Sequence, residues 1–219
     1  MSRIVGWLGD PRVSGWVALL PLLYFPAEWV VSATWRGHYG YREDLPGHLG
    51  VAFCGPEGNW PCSALYPVMN IATVVTGSAI VLVAASFVVQ RVTQRSHALL
   101  LGIAGAALAG SGVITQNVDY SWNQTLMGIF LTLGSVAALF IAMESASPLS
   151  TDRRVVAVVA GVVGLLGYFA TFGHVDVVGM GGAQRMTIYG ILIAVIALGS
   201  VGMRRRPNLE DRQLVGESR

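Results

Sequence analysis

The chain has 219 residues, 53% of them hydrophobic and only 12% charged. Soluble domains carry about 25% charged residues, so the composition argues against a water-soluble fold and for a membrane protein. A formal net charge of +2 lacks the basic excess of a nucleic-acid-binding protein, and no nucleic-acid partner is expected.

Six apolar segments are long enough to cross a hydrocarbon core that needs about 20 helical residues. In chain order they lie near 13–35, 65–90, 97–116, 123–144, 154–174 and 183–203. The fold class is therefore all-α: a six-helix transmembrane bundle forming one integral membrane domain over 1–206. Residues 207–219 read as a polar cytoplasmic tail. The connections are short except for residues 36–64. Pro21 and Pro26 predict a kink near Glu28, because proline removes a backbone donor and frees a carbonyl in the preceding turn. The same three residues argue against reading the first segment as a cleaved signal ending at "VSA".

All 14 basic residues are arginines. Eleven (Arg3, Arg12, Arg91, Arg95, Arg153, Arg154, Arg204, Arg205, Arg206, Arg212 and Arg219) flank one side of the spans, against Arg36, Arg42 and Arg185 on the other. Cytoplasmic flanks carry the arginine excess. Both termini are expected in the cytoplasm of a prokaryotic cell, with the loop over 36–64 outside.

Polar residues gather in the outer third of the spans. Glu28 sits roughly 12 Å of helical rise below the outer end of the first segment. Asn70 lies in the second, Asn117 and Asp119 follow the third, and Arg185 and Tyr189 open the sixth. Ionisable groups inside a membrane face a partner or a water-filled cavity, and Arg185 is the expected partner of Glu28. Glu28, Asn70, Asn117, Asp119, Arg185 and Tyr189 form the expected ligand-binding set. A packing ion pair is the plainer reading of the Glu28–Arg185 pair.

Cys54 and Cys62 are the two cysteines, and both fall on the outer side. Their spacing, with glycine and proline between, predicts a disulfide tying a short loop. Zinc would need two further ligands and the spacing matches no zinc motif, so no metal is expected. His38, His48 and His174, with Glu43, Asp44, Asp119 and Asp176, also lie on this face. His48, Asp119, His174 and Asp176 are the candidates for acid–base catalysis. No phosphate-binding glycine loop or GxSxG elbow is present, no histidine sits in the middle of a span where a haem would want one, and no cofactor is expected.

The third segment reads "GIAGAALAGSG", with Gly102, Ala106 and Gly110 at four-residue steps; the fifth carries Gly161, Gly164 and Gly167. Small residues let membrane helices approach closely. These faces serve either packing within the bundle or docking of another membrane protein.

Four stretches carry a family likeness: "HLG" before the first cysteine, "CSALYPVMNIATVVTG", "GSGVITQNVDYSWNQTLMG" and "GMGGAQRMTIYG". In these the chain resembles the family catalogued as domain of unknown function 998, small prokaryotic multi-pass membrane proteins. The match falls on Cys62, Ser63, Met69, Asn70, Gly77, Asn117, Arg185 and Tyr189. Ala64 stands where the family usually has proline, Gln184 where glutamate is common, and Asn123 where histidine is common. The resemblance implies the fold and an outward polar cluster. It implies no reaction, and the departures remove ionisable groups.

The expected function is accordingly the binding of a lipid or lipid-linked ligand in an outward-facing polar pocket, a role compatible with service to a larger envelope or transport complex. Membrane lipids are the expected partners, with a membrane protein as a further one. A structural subunit without a ligand is one alternative, and a membrane-embedded hydrolase or transferase is another.

Overall fold

A computed structural model describes residues 6–54, 61–144, 150–173 and 177–200. Six helices in it are long and apolar enough to cross a membrane. They are α1 (Pro11–Ala33), α2 (Tyr66–Gln90), α3 (Arg95–Val113), α4 (Tyr120–Met143), α5 (Thr151–Phe172) and α6 (Gly179–Gly199). Among the described residues there is no β-sheet, only an isolated antiparallel bridge between Trp35 and Ser63. The fold is thus the expected all-α bundle. His174, Asp176 and the tail over 207–219 lie outside the described residues.

α1 is not one continuous helix. It runs as an α-helix over Pro11–Val17, a 3-10 turn over Leu20–Leu23 and an α-helix over Tyr24–Ala33. Pro21 sits in the opening turn of the 3-10 segment, where its missing N–H interrupts the α-helical ladder. Pro26 falls in the first turn of the last piece, where an N–H would have no intrahelical acceptor. The break therefore precedes Glu28 by more than a turn.

α6 opens earlier than its apolar run suggests. Gly179 has a φ of +68°, a left-handed conformation that glycine adopts without a Cβ penalty. α4 opens at Tyr120 because the Asp119 carboxylate accepts from the Trp122 N–H at 3.0 Å, an N-cap.

α2 packs on α3, α3 on α4, and α5 on α6, with α4 reaching both α5 and α6, and α1 lying against α2. α6 is the central helix, with 67% of its apolar window buried; α5 and α1 bury only 28% and 33%. The glycines set the closest approaches. A Cβ on Gly77 would lie 2.8 Å from Ala109 Cα, and one on Gly190 would lie 2.7 Å from Gly164 Cα. Gly102 faces Ala84, Gly161 faces Leu139, and Gly167 faces Ala183 and Met186. Gly102, Gly161 and Gly167 therefore pack inside the bundle, as does Gly110 against Leu126, whereas Ala106 is exposed.

The 36–54 loop lies across one end and is pinned at several points. The Arg36 N–H donates to Cys62 O at 2.7 Å, and the Gly182 N–H to Arg42 O at 3.0 Å. Asn70 Nδ2 donates to Gly50 O at 3.0 Å. Cys54 and Cys62 form the expected disulfide. Leu49, in the 3-10 turn Pro46–Gly50, is fully buried and anchors the loop to the core.

Candidate functional site

The expected polar residues divide into three groups. The first is a buried network under the loop. Arg185 Nε donates to Glu28 Oε1 at 2.6 Å, and the Tyr189 hydroxyl donates to Glu28 Oε2 at 2.7 Å. Both Glu28 oxygens are thus occupied, in a side chain only 1% exposed. Arg185 Nη1 donates to the carbonyls of Tyr41 at 2.5 Å and Asp44 at 2.7 Å. Its Nη2 donates to the Tyr39 hydroxyl, which in turn donates to Leu45 O at 3.3 Å. The guanidinium also lies against the rings of Tyr39 and Tyr41, 5.4 and 4.8 Å from their centroids. Burial pushes the Tyr39 hydroxyl above its ordinary pKa, against the opposing pull of Arg185.

This arrangement is electrically closed. Four guanidinium hydrogens and both carboxylate oxygens are engaged within the protein, as a buried ion pair requires. Its chemistry is mechanical. α1 supplies Glu28, α6 supplies Arg185 and Tyr189, and the loop supplies three acceptors, so the network joins two helices to the lid.

The second group surrounds a small void of about 20 Å³ lined by Asn70, Thr73, Ser111, Thr115 and Asn123, among others. That is room for about one water. Asn123 Nδ2 donates to Ser111 O at 3.0 Å and Ile114 O at 2.7 Å. Thr73 and Ser111 donate to carbonyls of their own helices. Asn70 thus ties α2 to the loop, and Asn123 ties the start of α4 to the end of α3.

The third group lines a larger open cavity of about 440 Å³ at the rim, formed by Trp35, His38, Asp44, His48, Val51, Phe53, Pro61 and Asn117. Its size falls in the range of small-molecule sites, about 300–1,000 Å³. Asn117 Oδ1 accepts from Thr115 Oγ1 at 2.8 Å and from the Ala52 N–H at 3.4 Å. That holds the amide at the lip. Asp44 Oδ2 accepts from the Gly40 N–H at 2.8 Å. Trp35 meets Tyr39 edge-on with 5.3 Å between centroids, which links the cavity wall to the buried network.

The structure therefore brings Glu28, Arg185 and Tyr189 together and sets Asn70 and Asn117 at two different cavities. Asp119 caps α4. His48 lines the rim cavity without Asp119 beside it in the lining. Sequence reasoning did not single out Trp35, Tyr39, Tyr41, Val51 or Phe53. The "HYGY" run beside an arginine was a signal for Tyr39 and Tyr41; the carbonyl acceptors carried none. Among the described residues, no group of three or more His, Cys, Asp or Glu side chains is placed to hold a metal ion.

Fold and site together define a multi-pass helical membrane protein whose disulfide-tied loop covers one end of the bundle. No protein-family model, curated protein or solved structure matches the chain.

Proposed function

We propose that this protein binds an amphipathic ligand, a lipid or lipid-linked precursor, in the rim cavity on the outer face of a prokaryotic plasma membrane. It does so without catalysing a reaction, as a binding component that can serve an envelope-building or transport complex. The orientation follows from the arginine bias, eleven against three, which favours cytoplasmic termini. Kinship with the domain of unknown function 998 family is part of the same reading.

The observation that carries it is the composition of the cavity. Trp35, Val51, Phe53 and Pro61 provide an apolar wall, and His38, Asp44, His48 and Asn117 provide convergent polar groups. Few polar groups on an apolar lining is the usual make-up of a ligand site. The exposed apolar faces of α1 and α5, including Trp29, Val159 and Leu166, suit contact with acyl chains.

Native mass spectrometry of the protein, extracted gently from its own membrane, tests the proposal. A defined lipid adduct is expected, and it is lost in Asn117→Ala and Trp35→Ala while the fold persists. A protein with no adduct but a stoichiometric protein partner overturns it.

A second reading has its own support. The Glu28–Arg185 network is saturated inside the protein, which favours a packing role for those residues and a structural subunit. The hydrolase or transferase reading has less, because Asp119 is engaged as a helix cap.

A further inference from the structure

We infer that the rim cavity selects a neutral, polyhydroxylated headgroup, a glycosyl unit carried by a membrane lipid. This rests on the ligand-binding reading above and names the chemistry of the ligand.

Charge is the first argument. Among the described residues lining the cavity, the one with a fixed charge is Asp44, and none is a lysine or arginine. Arg185 lies beneath the loop at 5% exposure with four hydrogens engaged on Glu28, Tyr41, Asp44 and Tyr39. The N-terminus of α4 is occupied by the Asp119 carboxylate. Recognition of a phosphate uses arginine or lysine, or free helix N–H groups. An anionic headgroup entering here meets a carboxylate instead.

The hydrogen-bonding inventory is the second. With its Oδ1 filled from Thr115 and Ala52, Asn117 has its amide hydrogens to donate. Asp44 keeps Oδ1 as an acceptor, since Oδ2 holds the Gly40 N–H. A neutral imidazole adds one donor and one acceptor each at His38 and His48. Donors and acceptors interleaved around one space match hydroxyl groups, each of which both donates and accepts. A quaternary ammonium would suit the aromatic and carboxylate groups, but it leaves every one of these donors without a partner.

Shape is the third. A sugar ring has C–H faces as well as hydroxyl edges. Trp35 presents a large, rigid apolar surface with few rotamers to lose, and Val51 extends it.

The test uses the full-length, disulfide-intact protein in nanodiscs. The probes are a glucosyl-diacylglycerol, phosphatidylglycerol, phosphatidylcholine and diacylglycerol with the same acyl chains, and free methyl glucoside. Binding of the glucosyl lipid is expected to be at least about tenfold tighter than that of the other three lipids, and to fall about tenfold in Asn117→Ala and in His48→Ala. Unfolding midpoints of both variants control for loss of fold. Competition by methyl glucoside shows that the sugar alone is recognised and supports the inference. If methyl glucoside binds and no lipid does, the glycosyl specificity stands and the lipid reading falls. Equal or tighter binding of phosphatidylglycerol or phosphatidylcholine overturns the glycosyl specificity and leaves the lipid reading intact. If no probe binds, both fall.

Discussion

Arg185 and Glu28 are 157 residues apart in the chain and 2.6 Å apart in the structure. Their side chains are 6% and 1% exposed. The pair is the one direct charge link between the first and last helices among the described residues. Through the Arg185 Nη groups it also holds the loop residues Tyr39, Tyr41 and Asp44. Bundle and lid therefore share one fastening.

Removing one partner leaves an uncompensated buried charge, a loss of about 3–5 kcal/mol. Glu28→Gln and Arg185→Met are each expected to destabilise by that order. The double variant recovers part of the loss, because neither charge is then stranded. Denaturant unfolding of the four proteins in detergent measures the coupling. Strictly additive losses would show that the two side chains do not act on each other.

Tyr39 makes the fastening sensitive to alkali. Its folded pKa is raised by burial, so its contribution is fully present below the ordinary tyrosine value of about 10. That contribution is lost as pH rises from there through the raised folded value. Tyr39→Phe leaves an Arg185 hydrogen without its acceptor, at a cost of about 1–3 kcal/mol. It also removes this part of the alkaline limb. Unfolding midpoints followed from about pH 8 to about pH 11 give both quantities. An unchanged alkaline slope in the variant would falsify the assignment.

How much of this was legible beforehand varies by physical cause. The six spans follow from runs of apolar residues, and the Glu28–Arg185 pairing follows from charge and depth. The disulfide follows from the cysteine count and side. The engagement of Arg185 with the loop does not, because two of its acceptors are backbone carbonyls, and any residue supplies a carbonyl. The partner of Asn70 escapes for the same reason, since it is the carbonyl of Gly50. Asp119 has a legible alternative: an acid immediately before an apolar helix is an N-cap signal, and the cap is what forms. The division of the polar residues among separate cavities depends on how the loop folds back, which no local pattern encodes.

The glycine seams should be intolerant of even one methyl group. A Cβ at Gly77 or Gly190 would meet neighbouring backbone, whereas one at Gly128 meets nothing within 4 Å. Overpacking a filled interface costs about 1–3 kcal/mol. Gly77→Ala and Gly190→Ala are expected to lower stability by that order, and Gly128→Ala to leave it unchanged. Thermal unfolding of the three variants side by side is sufficient. Equal behaviour of all three would mean the seams are not close-packed.

Cys54–Cys62 ties the loop at its far end. Native membranes treated with a mass-shifting alkylating reagent should show no label without reductant and two labels with it. Reduction should also loosen the rim cavity, since Pro61, beside Cys62, lines it. Ligand binding is expected to weaken while the helices persist.

The opposite end of the bundle carries an acid-sensitive joint. Glu144, just past α4, accepts from Thr93 Oγ1 and from the Gln94 N–H at 3.2 Å, and lies 3.6 Å from His97 Nδ1. It thereby joins the end of α4 to the start of α3. The Thr93 hydrogen bond, foremost among these contacts, holds its carboxyl below the usual carboxylate range. A depressed folded pKa gives stability that is present above the unfolded value, about 4.3, and is lost as pH falls through the folded one. Glu144→Gln keeps an acceptor oxygen but removes the charge. It is expected to unfold more readily at neutral pH and to lose less on acidification, so the two stability curves converge at low pH. Parallel curves, offset by a constant amount down to the acid end, would mean that the carboxylate's ionisation does not stabilise the joint.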